Sequence, residues 1–121
     1  RSSDLPYIPG ISLQYIPWIT KVQAKKWKKQ ISDVVYFLHS QNIVWGDVKA
    51  HNILIDQRND NAVAIDFGGG FTGGWVDREL AGTKEGDLQG LQRILDFIDG
   101  KSTGFSYTKL MNVSLQALWN I

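Results

Sequence analysis

Four polar residues at fixed offsets are where this chain can do chemistry: Asp47, Lys49, Asn52 and, further on, Asp66 immediately before Phe67-Gly68. Between the two acidic clusters lie the apolar runs Ile53-Leu54-Ile55 and Ala62-Val63-Ala64-Ile65, separated by a polar turn from Asp56 to Asn61. Two short apolar runs around such a turn predict a β-hairpin, which would hold an acid at each end. Taken singly, Asp47 reads as a turn residue capping local amides, Lys49 as a solvated lysine and Asp66 as a turn acid beside glycine. Their joint spacing is what singles them out: two acids, a cation and an amide at fixed offsets around one hairpin.

The elements that must position them can be read from periodicity. Thr20 and Gln23 make a capping-box signature, and Trp27, Ile31, Val34, Val35 and Leu38 then repeat at helical spacing, predicting a helix from about Lys21 to Ser40. After the hairpin, Gly68, Gly69, Gly70, Gly73 and Gly74 predict a permissive loop. Glu79 to Gly86 is polar and irregular, and Asp87 can cap a helix carrying Leu88, Leu91, Ile94, Leu95 and Ile98, closed by Gly100. Thr108 can cap a last helix with Leu110, Met111, Leu115, Leu118 and Trp119 inward. Pro6, Pro9, Gly10 and Pro17 favour turns and extended chain at the front, where Ile11 to Ile16 reads as one short strand.

Composition narrows the classes. The 121 residues, 43% hydrophobic and including five Trp, suit one folded domain with a real core. With no cysteine, disulfide scaffolds, thiolate zinc sites and cysteine nucleophiles are excluded. No apolar run is long enough to span a bilayer and no secretory leader opens the chain; with the absence of cysteine, this sets an expectation of a cytoplasmic or nuclear location. Net charge is +1, but residues 1–50 carry seven Lys/Arg against three Asp/Glu and residues 51–121 six against nine. Lys21, Lys25, Lys26, Lys28 and Lys29 read as a solvated helix face in preference to a patch for a phosphate backbone or an acidic partner.

Residues 45–52, W-G-D-V-K-A-H-N, with the hairpin and D-F-G at Asp66 to Gly68, resemble the catalytic and metal-binding loops of the protein-kinase-like family, H-R-D-L-K-x-x-N and D-F-G. The chain is similar to short fungal kinase-like sequences carrying W-G-D-x-K-x-x-N and D-F-G-G-G. A complete kinase domain is much longer, so the resemblance implies part of one. The expected fold class is α+β, mainly helical: a kinase-like C-lobe whose small β-hairpin carries both loops, with the N-lobe absent or nearly so. Residues 1–20 would be a hinge-like connector and residues 21–121 the C-lobe.

Phosphoryl transfer needs metal ions held against phosphates, a positioned hydroxyl and cations near the developing charge. The resemblance implies that Asp47 orients the attacking hydroxyl or accepts its proton and that Lys49 neutralises charge on the transferred phosphate. Asn52 and Asp66 would hold Mg2+, and Lys49, Asn52 and Asp66 together would engage ATP. The function implied is transfer of the ATP γ-phosphate to a hydroxyl, in the first place serine or threonine of a protein, in a complete chain, with this portion weak or inactive alone. The alternatives are a non-catalytic kinase-fold binding module and a small-molecule kinase of the aminoglycoside-phosphotransferase type, although Lys49 stands where the latter usually has His. Neither a membrane nor a nucleic acid is an expected partner.

Trp45 and Gly46 depart from the family's His and Arg. Trp45 can fill the volume of the His without its acceptor role; Gly46 removes an arginine that binds activation-loop phosphate, implying no dependence on phosphorylation of that loop. Gly82-Thr83 resembles the Gly-Thr near the end of the activation segment, with Asp87 either an ordinary helix cap or the acid that holds the catalytic loop's backbone. The G-x-G-x-x-G at Gly68, Gly70 and Gly73 is discounted as a dinucleotide site, because no amphipathic helix follows it. His39 and His51 lack a metal-ligand pattern.

Overall fold

Helix α1 spans Lys21–Ser40, and Thr20 starts it with both halves of a capping box, its hydroxyl on the Gln23 N–H and the Gln23 side chain on its own N–H. Such a cap stabilises by about 1 kcal/mol. Burial of Trp27, Ile31 and Val35 on one face contributes about 1.5–3 kcal/mol for each side chain. Packing therefore decides that the helix exists, and the cap decides where it begins. The computed structural model describes residues 9–68 and 70–102, so the helix expected after Thr108 lies outside the described residues.

The strands are β1 (Gly10–Ser12), β2 (Ile53–Asp56) and β3 (Ala62–Ala64), in one antiparallel sheet of that order. The expected hairpin is β2–β3, with Leu54 opposite Val63 and Ile55 opposite Ala62. A third strand, β1, pairs with the other edge of β2, Ile11 lying opposite Ile55. The strand expected from Ile11 to Ile16 stops at Ser12, whose hydroxyl accepts the Gln14 N–H at 3.3 Å and turns Leu13–Tyr15 into a 3-10 turn. That turn drives Leu13 into the core.

The β2–β3 turn is gripped by α1. Gln23 donates to the Asp60 carboxylate, Lys26 to the Asn59 carbonyl and the Trp27 indole to the Asp60 carbonyl at 2.7 Å, while Gln30 accepts from Ala62 N–H and donates to Asn61. Residues three and four apart on a helix share a face, so one stripe of α1 both buries Trp27 and orients the hairpin. Within the turn, hydrogen bonds from the Arg58 side chain hold the Asp56 carboxyl below its ordinary range. The lysine cluster is correspondingly dispersed: Lys26 serves the turn, Lys28 pairs with Asp99 at 2.7 Å and Lys29 with Asp33 at 2.8 Å, leaving Lys21 and Lys25 exposed.

Helix α2 spans Lys84–Lys101 and packs Leu91, Ile94 and Ile98 into the same core as α1 and the sheet. Its start corrects the sequence reading. Thr83 is the N-cap, accepting the Gly86 N–H at 3.0 Å, and Asp87 lies inside the first turn, fully buried. Leu88 points outward, 42% exposed, where the sequence placed it inward, because at about 100° per residue it falls at the edge of the stripe that Asp87, Leu91, Ile94 and Ile98 bury. The helix also runs one residue past Gly100. At its far end the Lys101 ammonium donates to the carbonyls of Gln14 and Ile16, and the Lys101 carbonyl accepts the Ile19 N–H, tying the front of the chain to α2.

Candidate active site

The segment from Trp45 to Asn52 alternates between core and solvent. Trp45, Val48 and Ala50 are completely buried, whereas Asp47 and Lys49 keep 20% and 21% of their side-chain surface in solvent. Beneath it sits Asp87, 1% exposed, whose carboxylate accepts the Trp45 N–H at 2.7 Å, the Gly46 N–H at 2.9 Å and a contact from His39 Nε2 at 2.8 Å. A buried carboxylate is tolerable only when its oxygens are satisfied, and three donors from two elements satisfy it here. Of the two roles open to Asp87 in the sequence, the structure has the tertiary one. Gly46 takes φ +92°, which a side chain would strain.

Close approach of α2 to this segment depends on a second glycine. A Cβ at Gly90 would stand 2.7 Å from Val48 Cβ and 2.8 Å from the Val48 carbonyl oxygen. Glycine inside a helix costs about 1 kcal/mol relative to alanine, yet Gly90→Ala is expected to destabilise this chain by about 1–3 kcal/mol, because overpacking against backbone outweighs the gain in propensity. Urea denaturation of the two proteins measures the sign directly.

Above this support, three of the four sequence-chosen residues meet. Asn52 donates through Nδ2 to the Asp47 carbonyl at 2.8 Å and to its carboxylate at 3.2 Å, and the Lys49 ammonium lies 3.5 Å from the same carboxylate. A fourth side chain joins them: the Thr72 hydroxyl donates to Asp47 Oδ1 at 2.7 Å and accepts from Lys49 Nζ at 2.9 Å. The Thr83 hydroxyl takes no part in the cluster; it caps α2 and donates to the Leu80 carbonyl. Thr72, set in the glycine-rich segment, has no local pattern to announce it.

Asp66 stands apart from this cluster. Its carboxylate is exposed and takes no hydrogen bond or ion pair among the described residues, and its backbone has φ +61°. Its link to the cluster runs through Ile65, whose N–H donates to the Asn52 carbonyl at 2.9 Å. Phe67 is 49% exposed and leans on Trp45 with ring centroids 5.6 Å apart. The strand before Asp66 is half-buried. Trp45 fills its expected place in the core, and it also does something the sequence did not suggest, donating its indole N–H to the Ile65 carbonyl at 3.0 Å.

Residues 10–72, just over half of the chain, match the protein kinase domain family. The chain belongs to that family. This kinase-family chain is 45% identical over 49 residues to the serine/threonine-protein kinase pim-2 of Danio rerio, an overlap of 40% of the chain and 16% of that protein. It is 49% identical over 45 residues to the serine/threonine-protein kinase kin-29 of Caenorhabditis elegans, covering 37% of the chain and 5% of the relative. To the serine/threonine-protein kinase D of a Synechocystis strain it is 36% identical over 62 residues, 51% of the chain and 12% of that protein. The chain thus spans only a small part of the curated relatives it matches. A small antiparallel three-stranded sheet with two helices is compatible with part of a kinase fold.

Proposed function

We propose that this chain supplies the catalytic lobe, the C-lobe, of a protein kinase, and that the complete protein transfers the γ-phosphoryl group of ATP to a serine or threonine hydroxyl. One observation carries the reading: a carboxylate, Asp47, sits with a hydroxyl at 2.7 Å and an ammonium at 3.5 Å, at the mouth of a backbone clamped from below. An acid so placed receives a hydroxyl donor at hydrogen-bond distance, which is what orienting or deprotonating a substrate hydroxyl requires. Lys49, already bonded to the Thr72 hydroxyl that Asp47 receives, carries positive charge beside the place where negative charge would develop.

Asn52 and Asp66 suit magnesium by the chemistry of their donors. Both contacts of the Asn52 amide nitrogen go to Asp47, which leaves Oδ1 as the oxygen it can offer, and the exposed Asp66 carboxylate has none of its oxygens committed among the described residues. One neutral and one anionic hard oxygen match an ion that keeps several waters and binds phosphate oxygens. When bound, the ion would neutralise charge on the nucleotide phosphates and help fix their orientation. The serine/threonine class is supported by Lys49 and by the printed names of the relatives.

Titration of the purified chain with ATP, with and without magnesium, tests the reading by calorimetry. Magnesium is expected to strengthen ATP binding, and Asp66→Asn to remove most of that gain, about tenfold or more in Kd, which is about 1.4 kcal/mol or more. Asp66→Asn binding magnesium-ATP as wild type does would sink the assignment of Asp66. A folded chain blind to ATP would favour the binding-module alternative.

A further inference from the structure

Gln89, Arg93, Phe97 and Lys101 follow one another at four-residue spacing and so form a stripe along α2. The stripe holds the chain that leads from the glycine-rich segment back to this helix. The Gln89 amide grips Asp77 twice: its oxygen accepts the Asp77 N–H at 2.6 Å, and its nitrogen donates to the Asp77 carboxylate at 2.8 Å. One turn on, Arg93 donates to the other carboxylate oxygen at 3.3 Å. These hydrogen bonds, that of Gln89 foremost, hold the Asp77 carboxyl below its ordinary range. A further turn along, the Trp75 ring meets Phe97 edge-on with centroids 5.8 Å apart, and the Lys101 ammonium stands 4.5 Å over the same Phe97 ring. Val76, between Trp75 and Asp77, is buried against the first turn of α2, where a Cβ on Gly86 would stand 3.2 Å from Val76 Cγ1.

The docked residues reach back to the acid cluster through Thr72. The N–H groups of Trp75 and Val76 both donate to the Thr72 carbonyl at 3.1 Å, closing a turn. The hydroxyl of the same Thr72 meets Asp47 and Lys49. Where Asp77 docks therefore sets where the Thr72 hydroxyl arrives.

We infer that Asp77 is a positioning residue: the clamp of Gln89 and Arg93 upon it fixes the turn from Thr72 to Val76 and thereby delivers the Thr72 hydroxyl to Asp47 and Lys49. The segment is ordered by α2 itself, a device that requires no phosphate on the segment. Its effect on catalysis rests on the phosphotransferase reading above; the clamp does not.

Amide hydrogen exchange on the unphosphorylated chain tests the clamp. In wild type the Trp75 and Val76 amides are expected to be protected, and exchange there at the rate of an unstructured peptide refutes the inference. Asp77→Ala is expected to speed exchange at both amides about tenfold and leave the α1 amides of Ile31 and Val35 unchanged, a split that general loosening would not produce. In the complete protein, Asp77→Ala and Thr72→Val should each lower kcat about tenfold, and the double variant should fall no further than Thr72→Val alone, because both act through one hydroxyl. Losses that multiply in the double variant would overturn the positioning role, as would wild-type exchange and wild-type kcat in Asp77→Ala. If the complete wild type transfers no phosphate, the phosphotransferase reading fails, and exchange at Trp75 and Val76 still decides the clamp. Should Asp77→Ala not fold, Gln89→Ala opens the clamp from the helix side, at a position where alanine favours the helix, and carries the same expectations.

Discussion

Replacing Asp87 by alanine is expected to cost about 3–5 kcal/mol of stability, the range for breaking a buried charged interaction by removing one partner. The alanine leaves the N–H groups of Trp45 and Gly46 and the ring nitrogen of His39 facing a site with no acceptor, where the carboxylate had received all three. Orphaned buried donors cost about 1–3 kcal/mol each, so even partial relaxation leaves a large deficit against a total stability of about 5–15 kcal/mol. Asp87→Asn keeps one acceptor oxygen and should fall between alanine and wild type. Denaturant unfolding of the three proteins checks the order, and faster amide exchange at Trp45 and Gly46 in the Asn variant would locate the loss. An alanine variant within 1 kcal/mol of wild type would mean that the loop is held by its own packing and that Asp87 is incidental.

The second large effect is on rate. In the complete protein, Asp47→Asn is expected to lower kcat for phosphoryl transfer to a serine or threonine peptide by about 10²- to 10⁴-fold, the usual contribution of a positioned acid or base. Asparagine occupies nearly the same volume and can still accept one hydrogen bond from Thr72 or from Asn52, so the cluster should survive while the proton acceptor is lost. Affinity for magnesium-ATP should change little, because the proposed metal ligands, Asn52 and Asp66, are untouched. Steady-state kinetics with a separate nucleotide titration resolves the two parameters. Near-normal kcat would return Asp47 to the ordinary role of a turn acid.

Much of this chain could be read locally, and the reasons are visible in particular residues. The limits of α1 followed from a capping box and a helical stripe, both contained within a few residues of one another. The β2–β3 hairpin followed from two apolar runs around a polar turn. Asp47, Lys49 and Asn52 could be named together because they lie on one short segment whose internal spacing carries the signal. Where the reading slipped, a local cue competed with a distant contact. Asp87 was offered as a cap because acids favour helix starts, but Thr83 occurs earlier and took the cap, freeing Asp87 to turn inward. Leu88 went outward because it lies at the edge of the stripe that Asp87, Leu91, Ile94 and Ile98 bury. Strand β1 was overextended because Ile11 to Ile16 is apolar enough to continue, until the Ser12 hydroxyl captured the Gln14 N–H.

By itself the sequence determined the helices α1 and α2 in outline, the hairpin and the identity of the residues able to do chemistry, since each is encoded by periodicity or spacing over a short stretch. Only the tertiary structure decided which side chains meet. Thr72 reaches Asp47 across 25 residues, Trp45 reaches Ile65 across 20, and Asp87 reaches the Trp45 N–H across 42. Such contacts exist because α2 packs closely under the loop at Gly90 and because α1 orients the hairpin through its turn. Close approach and orientation are properties of packed elements, and no local pattern of residues specifies them.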